Sequence, residues 1–257
     1  MEIRFKKNCF IPFLVLGDPC FEQSIKLIKT LIDNGCGALE LGFAFSDPIA
    51  DGPIIQKANL RVIKTGFNVE NGFEILKKVR EYSDIPISLM LCYNLIFKYG
   101  IDRFYKKCDE LKIDAILVPD CPLEESDELI YSANKYNLNQ VFLVSENSDD
   151  SRLSEINKKC SGYVYLVSIL GTTGIREDIN HNLGELIERV KKNINKKVYV
   201  GFGISKPDHV KDIIQLGADG AISGSAICKL VEDNLYHYEN MAERIGKFCK
   251  DMSDSCL

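Results

Sequence analysis

Residues 38–53 read Ala38-Leu39-Glu40-Leu41-Gly42-Phe43-Ala44-Phe45-Ser46-Asp47-Pro48-Ile49-Ala50-Asp51-Gly52-Pro53. A short apolar run carries one carboxylate, Glu40, and breaks at Gly42 into a loop rich in Ser, Asp, Pro and Gly, the pattern of a strand end followed by an ordered loop. A strand this short and apolar is expected to be buried on both faces, where an ionised carboxylate is costly without a partner or a task. Asp51 follows in the same loop. Two carboxylates joined by one strand and its loop, in different environments, can differ in proton affinity and divide acid and base work between them. The same positions also fit a strand-end salt bridge at Glu40 and a turn former at Asp51.

Working outward, apolar runs recur at residues 10–16, 37–41, 86–92, 115–119, 140–144, 163–168, 198–202 and 220–223, each followed by a stretch of helical periodicity. Helices are expected over 22–34, 53–64, 70–82, 101–111, 124–136, 149–159, 182–194, 206–216, 225–232 and 234–250. The one over 53–64 is extra to the basic repeat, and 225–232 is a short helix after the last strand. Eight strands alternating with helices are best satisfied by closing a parallel sheet, because closure removes both edges. The expected architecture is an α/β fold, an eight-stranded parallel (β/α)8 barrel with extra short helices, as a single domain over 1–257. The 257 residues suit it, since such barrels typically need roughly 250. An open doubly wound sheet fits less well: the first strand is followed by Gly17-Asp18-Pro19, not by a GxGxxG dinucleotide turn. In a barrel, the carboxyl ends of the strands and the loops after them form the active face, and Glu40, Asp51, Asp120 and Tyr165 all fall there.

Composition narrows the function classes. The formal net charge is -5 and basic residues are dispersed, so neither nucleic acid nor an anionic membrane surface is an expected partner. Ten cysteines show no CxxC or other ligand-like spacing and are expected to be reduced packing residues. His181, His209 and His237 are the three histidines and none is near another in sequence, so no protein-ligated zinc or iron site is expected. No secretory apolar region opens the chain and no apolar run has membrane-spanning length, which points to the cytoplasm.

Three glycine-bearing turns fall late in the chain: Gly171-Thr172-Thr173-Gly174, Gly201-Phe202-Gly203-Ile204-Ser205 and Ser223-Gly224-Ser225-Ala226. Glycine lets backbone N–H groups approach an anion closely, and a helix opening at Ser225 aims its positive end at the same place. Such glycines can also serve only to permit tight turns. Two of them after strands seven and eight, next to a short extra helix, match the phosphate site common in barrels.

At this point the sequence resembles the alpha subunit of tryptophan synthase from about residue 10 to residue 232. The resemblance rests on Pro12-Phe13 with Gly17-Asp18-Pro19, the unbroken register from Leu39 to Gly52 with Pro53 after it, Gln56 with Ala58-Asn59, and Asp120 with Pro122 and Glu124-Glu125. It continues through Gly171 with Thr173-Gly174, Gly201-Phe202-Gly203-Ile204 and Ser223-Gly224-Ser225-Ala226. It implies a lyase of tryptophan biosynthesis that cleaves indole-3-glycerol phosphate to indole and glyceraldehyde 3-phosphate by a retro-aldol reaction. It further implies a beta subunit as partner in an alpha2beta2 heterotetramer, with pyridoxal phosphate in the beta subunit and no cofactor in this chain. By the same resemblance Glu40 holds and returns the proton, and Asp51 stabilises positive charge developing at the indole nitrogen. Tyr165 lies beside the indole ring with Phe13, Met90, Leu117, Leu143, Thr173 and Phe202 around it, while Gly174, Gly203, Gly224 and Ser225 hold the phosphate. The Tyr165 hydroxyl, if buried, is expected to find its partner beside the two carboxylates.

Two departures from the family pattern carry expectations of their own. Members usually begin with a helix that closes the bottom of the barrel, whereas here about nine residues precede the first strand, so the floor is expected to be exposed or differently covered. The residue before Phe45 is commonly proline and is Ala44 here, in the loop that the family uses against its partner. Two other readings compete: a barrel enzyme acting on another phosphorylated metabolite, and a non-catalytic subunit that activates a partner. Retention of Glu40, Asp51 and Tyr165 together argues against the first, and retention of both carboxylates argues against the second.

Overall fold

The computed structural model describes residues 4–48, 51–167 and 176–257. Eight strands form one closed parallel barrel in sequence order: β1 (Cys9–Val15), β2 (Leu39–Gly42), β3 (Ile87–Met90), β4 (Ala115–Leu117), β5 (Asn139–Val144), β6 (Val164–Val167), β7 (Val198–Gly201) and β8 (Gly220–Ser223). The ring closes where β1 pairs with β8, Ile11 facing Ile222. All eight expected strands are present.

The helices outside the barrel are α1 (Phe21–Asp33), α2 (Pro53–Lys64), α3 (Val69–Tyr82), α4 (Tyr93–Tyr99), α5 (Ile101–Glu110), α6 (Asp127–Lys135), α7 (Asp150–Lys159), α8 (Arg176–Asn193), α9 (Pro207–Gln215), α10 (Ser225–Glu232) and α11 (Tyr238–Asp254). Their inner faces pack on the outer faces of the strands; Leu27, Ile28 and Leu31 of α1, for example, are fully buried. Local chemistry sets the ends. Pro53 opens α2, where a missing N–H costs nothing, and Asn68 and Asn71 form a reciprocal capping box that starts α3.

Two expectations need correction, and one helix was not expected. The helix expected over 124–136 is a single 3₁₀ turn, Leu123–Glu125, followed by α6. Ser126 separates them, its hydroxyl donating to the Leu123 carbonyl at 2.6 Å, so the side chain competes for the backbone and ends the turn. The last helix begins at Tyr238 and not near 234, because Asn234 is buried and bonds back to the Leu230 carbonyl, extending the close of α10. Helix α4 had no counterpart in the sequence reading.

The floor of the barrel is covered without a helix over residues 4–8. Phe5 is fully buried and its ring lies 5.2 Å from that of Tyr163 and 6.0 Å from that of Tyr199. Arg4 pins the segment by a bidentate bond to Asp114 at 2.5 and 2.8 Å, and the Tyr199 hydroxyl donates to the Lys6 carbonyl at 2.7 Å. One buried phenylalanine contributes about 1.5–3 kcal/mol. Among the described residues no helix is long and apolar enough to cross a membrane. All ten cysteines are free thiols and seven of them are buried, in keeping with a packing role.

Candidate active site

Alternation along the strands places Glu40, Met90, Leu117, Leu143 and Tyr165 in the barrel interior, with Phe13 beside them on β1. Glu40 on β2 stands level with Phe13 on β1 and Ser88 on β3. Its side chain is 1 % exposed. Burial raises its pKa to about 8; the hydrogen bond from Tyr163 works against the rise and the charge on Asp51 adds to it. Near neutral pH this carboxyl therefore holds a proton that an ordinary glutamate has lost.

Tyr163 is the residue that sequence reasoning missed. Its hydroxyl lies 3.3 Å from Glu40 Oε1 and 3.0 Å from Ser88 Oγ, wholly inside the barrel. Among the described residues, the phenol that donates to Glu40 is that of Tyr163. Tyr165 is close enough to Glu40 and Asp51 for their charges to help burial hold its phenol protonated. Its hydroxyl instead lies over β7, where a Cβ added to Gly201 would come within 2.0 Å of the oxygen. Tyr163 and Tyr165 are two residues apart and share one face of the β6 segment, so period-two alternation was the signal that both phenols point inward.

Asp51 lies at the far end of the β2–α2 loop and lines a pocket with Phe13, Phe45, Met90, Cys92 and Asp120, among others. Burial raises its pKa and a hydrogen bond from Asn59 opposes the rise. The two carboxyls thus sit in different surroundings: Glu40 is sealed among apolar and phenolic groups, whereas Asp51 is less buried and bonded to an amide. Burial, then the charges of Asp120 and Asp51, push the Cys92 thiol up to about 12, so it stays protonated. Asp120 accepts from the Tyr93 N–H at 2.8 Å and so caps α4.

At the other end of the site, Gly203 takes a φ of +75° and Phe202 a φ of +84°. Phe202 is 53 % exposed, at the rim of the barrel rather than in its interior. Gly224 precedes α10, whose first helical bond runs from the Cys228 N–H to the Gly224 carbonyl, leaving the N–H groups of Ser225 and its neighbours at a helix N-terminus. The turns after β7 and β8 are tied together by Ser223, whose buried hydroxyl donates to the Ile204 carbonyl at 2.5 Å. Gly224 has a second reason to lack a side chain: a Cβ there would sit 3.0 Å from the ring of Phe13. Thr173 and Gly174, with the rest of the turn from Gly171, lie outside the described residues.

A family profile described as tryptophan synthase alpha chain matches residues 3–256. The tryptophan synthase alpha chain of Histophilus somni is 44% identical over 254 residues, covering 98% of this chain and 94% of the relative. That of Methanothermobacter thermautotrophicus is 44% identical over 236 residues, covering 92% and 87%. A solved Pyrococcus furiosus structure, concerned with mutual activation in the tryptophan synthase a2b2 complex, superposes with a TM-score of 0.89 at 38% identity, covering 96% of this chain and 98% of that one. The closed barrel, the two interior carboxyls and the glycine turns after β7 and β8 thus occur in a chain that belongs to the tryptophan synthase alpha chain family.

Proposed function

We propose that Glu40 and Asp51 carry out the family's reaction in this chain, the cleavage of indole-3-glycerol phosphate to indole and glyceraldehyde 3-phosphate. The observation that carries the assignment is the buried Glu40, held to a pKa of about 8 within electrostatic reach of Asp51. The bond from the indole ring to the glycerol chain breaks once the ring carbon bearing the chain is protonated and a proton leaves the adjacent hydroxyl. Protonated Glu40 gives its proton to the ring carbon, and the resulting carboxylate takes the hydroxyl proton as the carbon–carbon bond opens. The electron pair of that bond returns to the ring, so Glu40 ends as it began.

In its ionised form Asp51 offsets the positive charge that builds at the indole nitrogen during protonation. Tyr165, Phe13, Met90, Leu117 and Leu143 supply the apolar surface for the ring, and Thr173 and Phe202 are assigned to the same pocket. Gly203, Gly224 and Ser225, together with Gly174, bind the phosphate through backbone N–H groups, and that binding orients the reacting bond against Glu40. The steps use side chains of this chain, and pyridoxal phosphate is assigned to a beta subunit that receives the indole in an alpha2beta2 complex. The a2b2 assembly of the Pyrococcus furiosus relative supports that partner. Indole release from indole-3-glycerol phosphate, followed with and without a beta subunit, tests the reading. Release that rises on adding the subunit is the expected result.

A further inference from the structure

We propose that Asn59 is a positioning residue for this reaction: its side-chain amide fixes the orientation of Asp51 and ties both ends of the β2–α2 loop. The inference rests on the role proposed above for Asp51. Asn59 lies on α2 and is 4 % exposed. Its Nδ2 donates to Asp51 Oδ2 at 3.1 Å and to the Ile55 carbonyl at 3.1 Å, and its Oδ1 accepts from the Phe45 N–H at 3.3 Å. Phe45 stands near the start of the loop and Asp51 near its end, so one side chain sets the distance between them. A primary amide meets both demands from two separate atoms, donating from Nδ2 to the carboxylate while Oδ1 accepts from the N–H.

The platform is itself anchored. Two residues further along α2, Arg61 makes a bidentate bond to the fully buried Asp18, in the loop after β1, at 2.9 and 2.8 Å. Asn59 therefore holds Asp51 relative to the barrel and not merely relative to its own helix. The bond engages one carboxylate oxygen of a residue that lines the pocket, and the proposal assigns the other to an incoming N–H.

The Asn59 bond also has an electrostatic consequence. Burial disfavours the charge on Asp51, and the donor from Asn59 favours it. Among the described residues, the titratable groups facing Asp51 are Glu40 on β2, Tyr165 on β6, Cys92 after β3, Cys228 on α10 and Asp120 after β4. None of these is a cation. Losing the Asn59 donor should thus push Asp51 toward its neutral form at a higher pH.

The test compares the kcat–pH profiles for indole release by wild type, Asn59→Ala, Asn59→Asp and Asp51→Asn. Asn59→Ala is expected to lower kcat about ten- to a hundredfold, the order of loss when a catalytic group is displaced from its working geometry, with a smaller effect on KM. The acid limb should move upward in the order wild type, Asn59→Ala, Asn59→Asp, because aspartate keeps an acceptor for Phe45 but places a negative charge against Asp51. Titration of the substrate phosphate is common to all the proteins, so the displacement between them isolates Asp51. If Asp51→Asn retains the wild-type rate, the role of Asp51 fails and this inference falls with it. If Asp51→Asn is impaired while both Asn59 variants keep the wild-type kcat and acid limb, the inference alone fails. A lower kcat with an unmoved acid limb would make Asn59 a structural residue only and would equally overturn it. Hydrogen exchange on the unmodified protein gives a check independent of variant folding: the Phe45 N–H should exchange more slowly than the N–H of exposed Ser46, and equal rates contradict the bond.

Discussion

Replacing Glu40 by glutamine should make the protein inactive and more stable at the same time. The amide keeps the shape of the side chain and an oxygen that accepts from the Tyr163 hydroxyl, but it has no proton to give and no charge to bury. The folded pKa of about 8 stands above the ordinary 4.5. Between those values the folded protein holds a proton that the unfolded chain releases, so stability falls as pH rises through this window. At about 1.36 kcal/mol per pKa unit, the buried carboxyl costs on the order of 3 kcal/mol at pH 7 and 5 kcal/mol at pH 9. Glu40→Gln removes that cost. Denaturant unfolding of both proteins at pH 4, 7 and 9 should give nearly equal stabilities at the lowest pH and a widening advantage for the variant above it. Indole release should fall at least about a thousandfold, within the range of general acid–base contributions. Turnover within tenfold of wild type, or a variant no more stable than wild type at pH 9, would refute the reasoning.

Four further outcomes are expected. Tyr163→Phe removes a hydrogen bond that favours the ionised form of Glu40, so the alkaline limb of kcat/KM should move upward; an unmoved limb would count against that bond. Gly224→Val places a side chain against Phe13 and the helix N-terminus, so titration should show weaker binding of both substrate and inorganic phosphate, with indole binding changed much less. Arg61→Ala leaves Asp18 buried without its partner and should cost about 3–5 kcal/mol in denaturant unfolding. Ala44→Pro should stabilise the loop by about 0.4–1 kcal/mol if its backbone angles suit proline; the rate of the lone subunit then rises and its fold-activation by a beta subunit falls, as kinetics on both proteins would record.

The barrel was legible in the sequence because its determinants are local and repeated. Each strand is an apolar run and most helices show a clear apolar stripe closed by a turn residue. Helix α4 escaped because it has only seven residues and is set off from α5 by Gly100 alone, at a φ of +93°. Phe5 escaped for a different reason: it belongs to no regular element, and its value as a floor exists only once Tyr163 and Tyr199 meet above it. Of the candidate site, Glu40 stood out as a carboxylate inside an apolar strand, and the glycines because two such turns follow β7 and β8 beside a short helix. Tyr163 did not, since a tyrosine next to an apolar run looks like core. Its partner Glu40 is 123 residues away in sequence. Asn59 likewise has the appearance of an ordinary helix residue until the fold brings Phe45 and Asp51 to its two ends.

The central claim is that a buried, protonated Glu40 and an ionised Asp51 act together on indole-3-glycerol phosphate. The most direct measurement is kcat/KM for indole release by the unmodified chain, saturated with a beta subunit, from pH 5 to pH 9.5. The free enzyme's essential groups appear in that profile. The expected profile is a bell with an alkaline limb near the pKa of about 8 held by Glu40, and Glu40→Gln is expected to lose that bell. A rate that continued level to pH 9.5, or no indole at any pH, would contradict it.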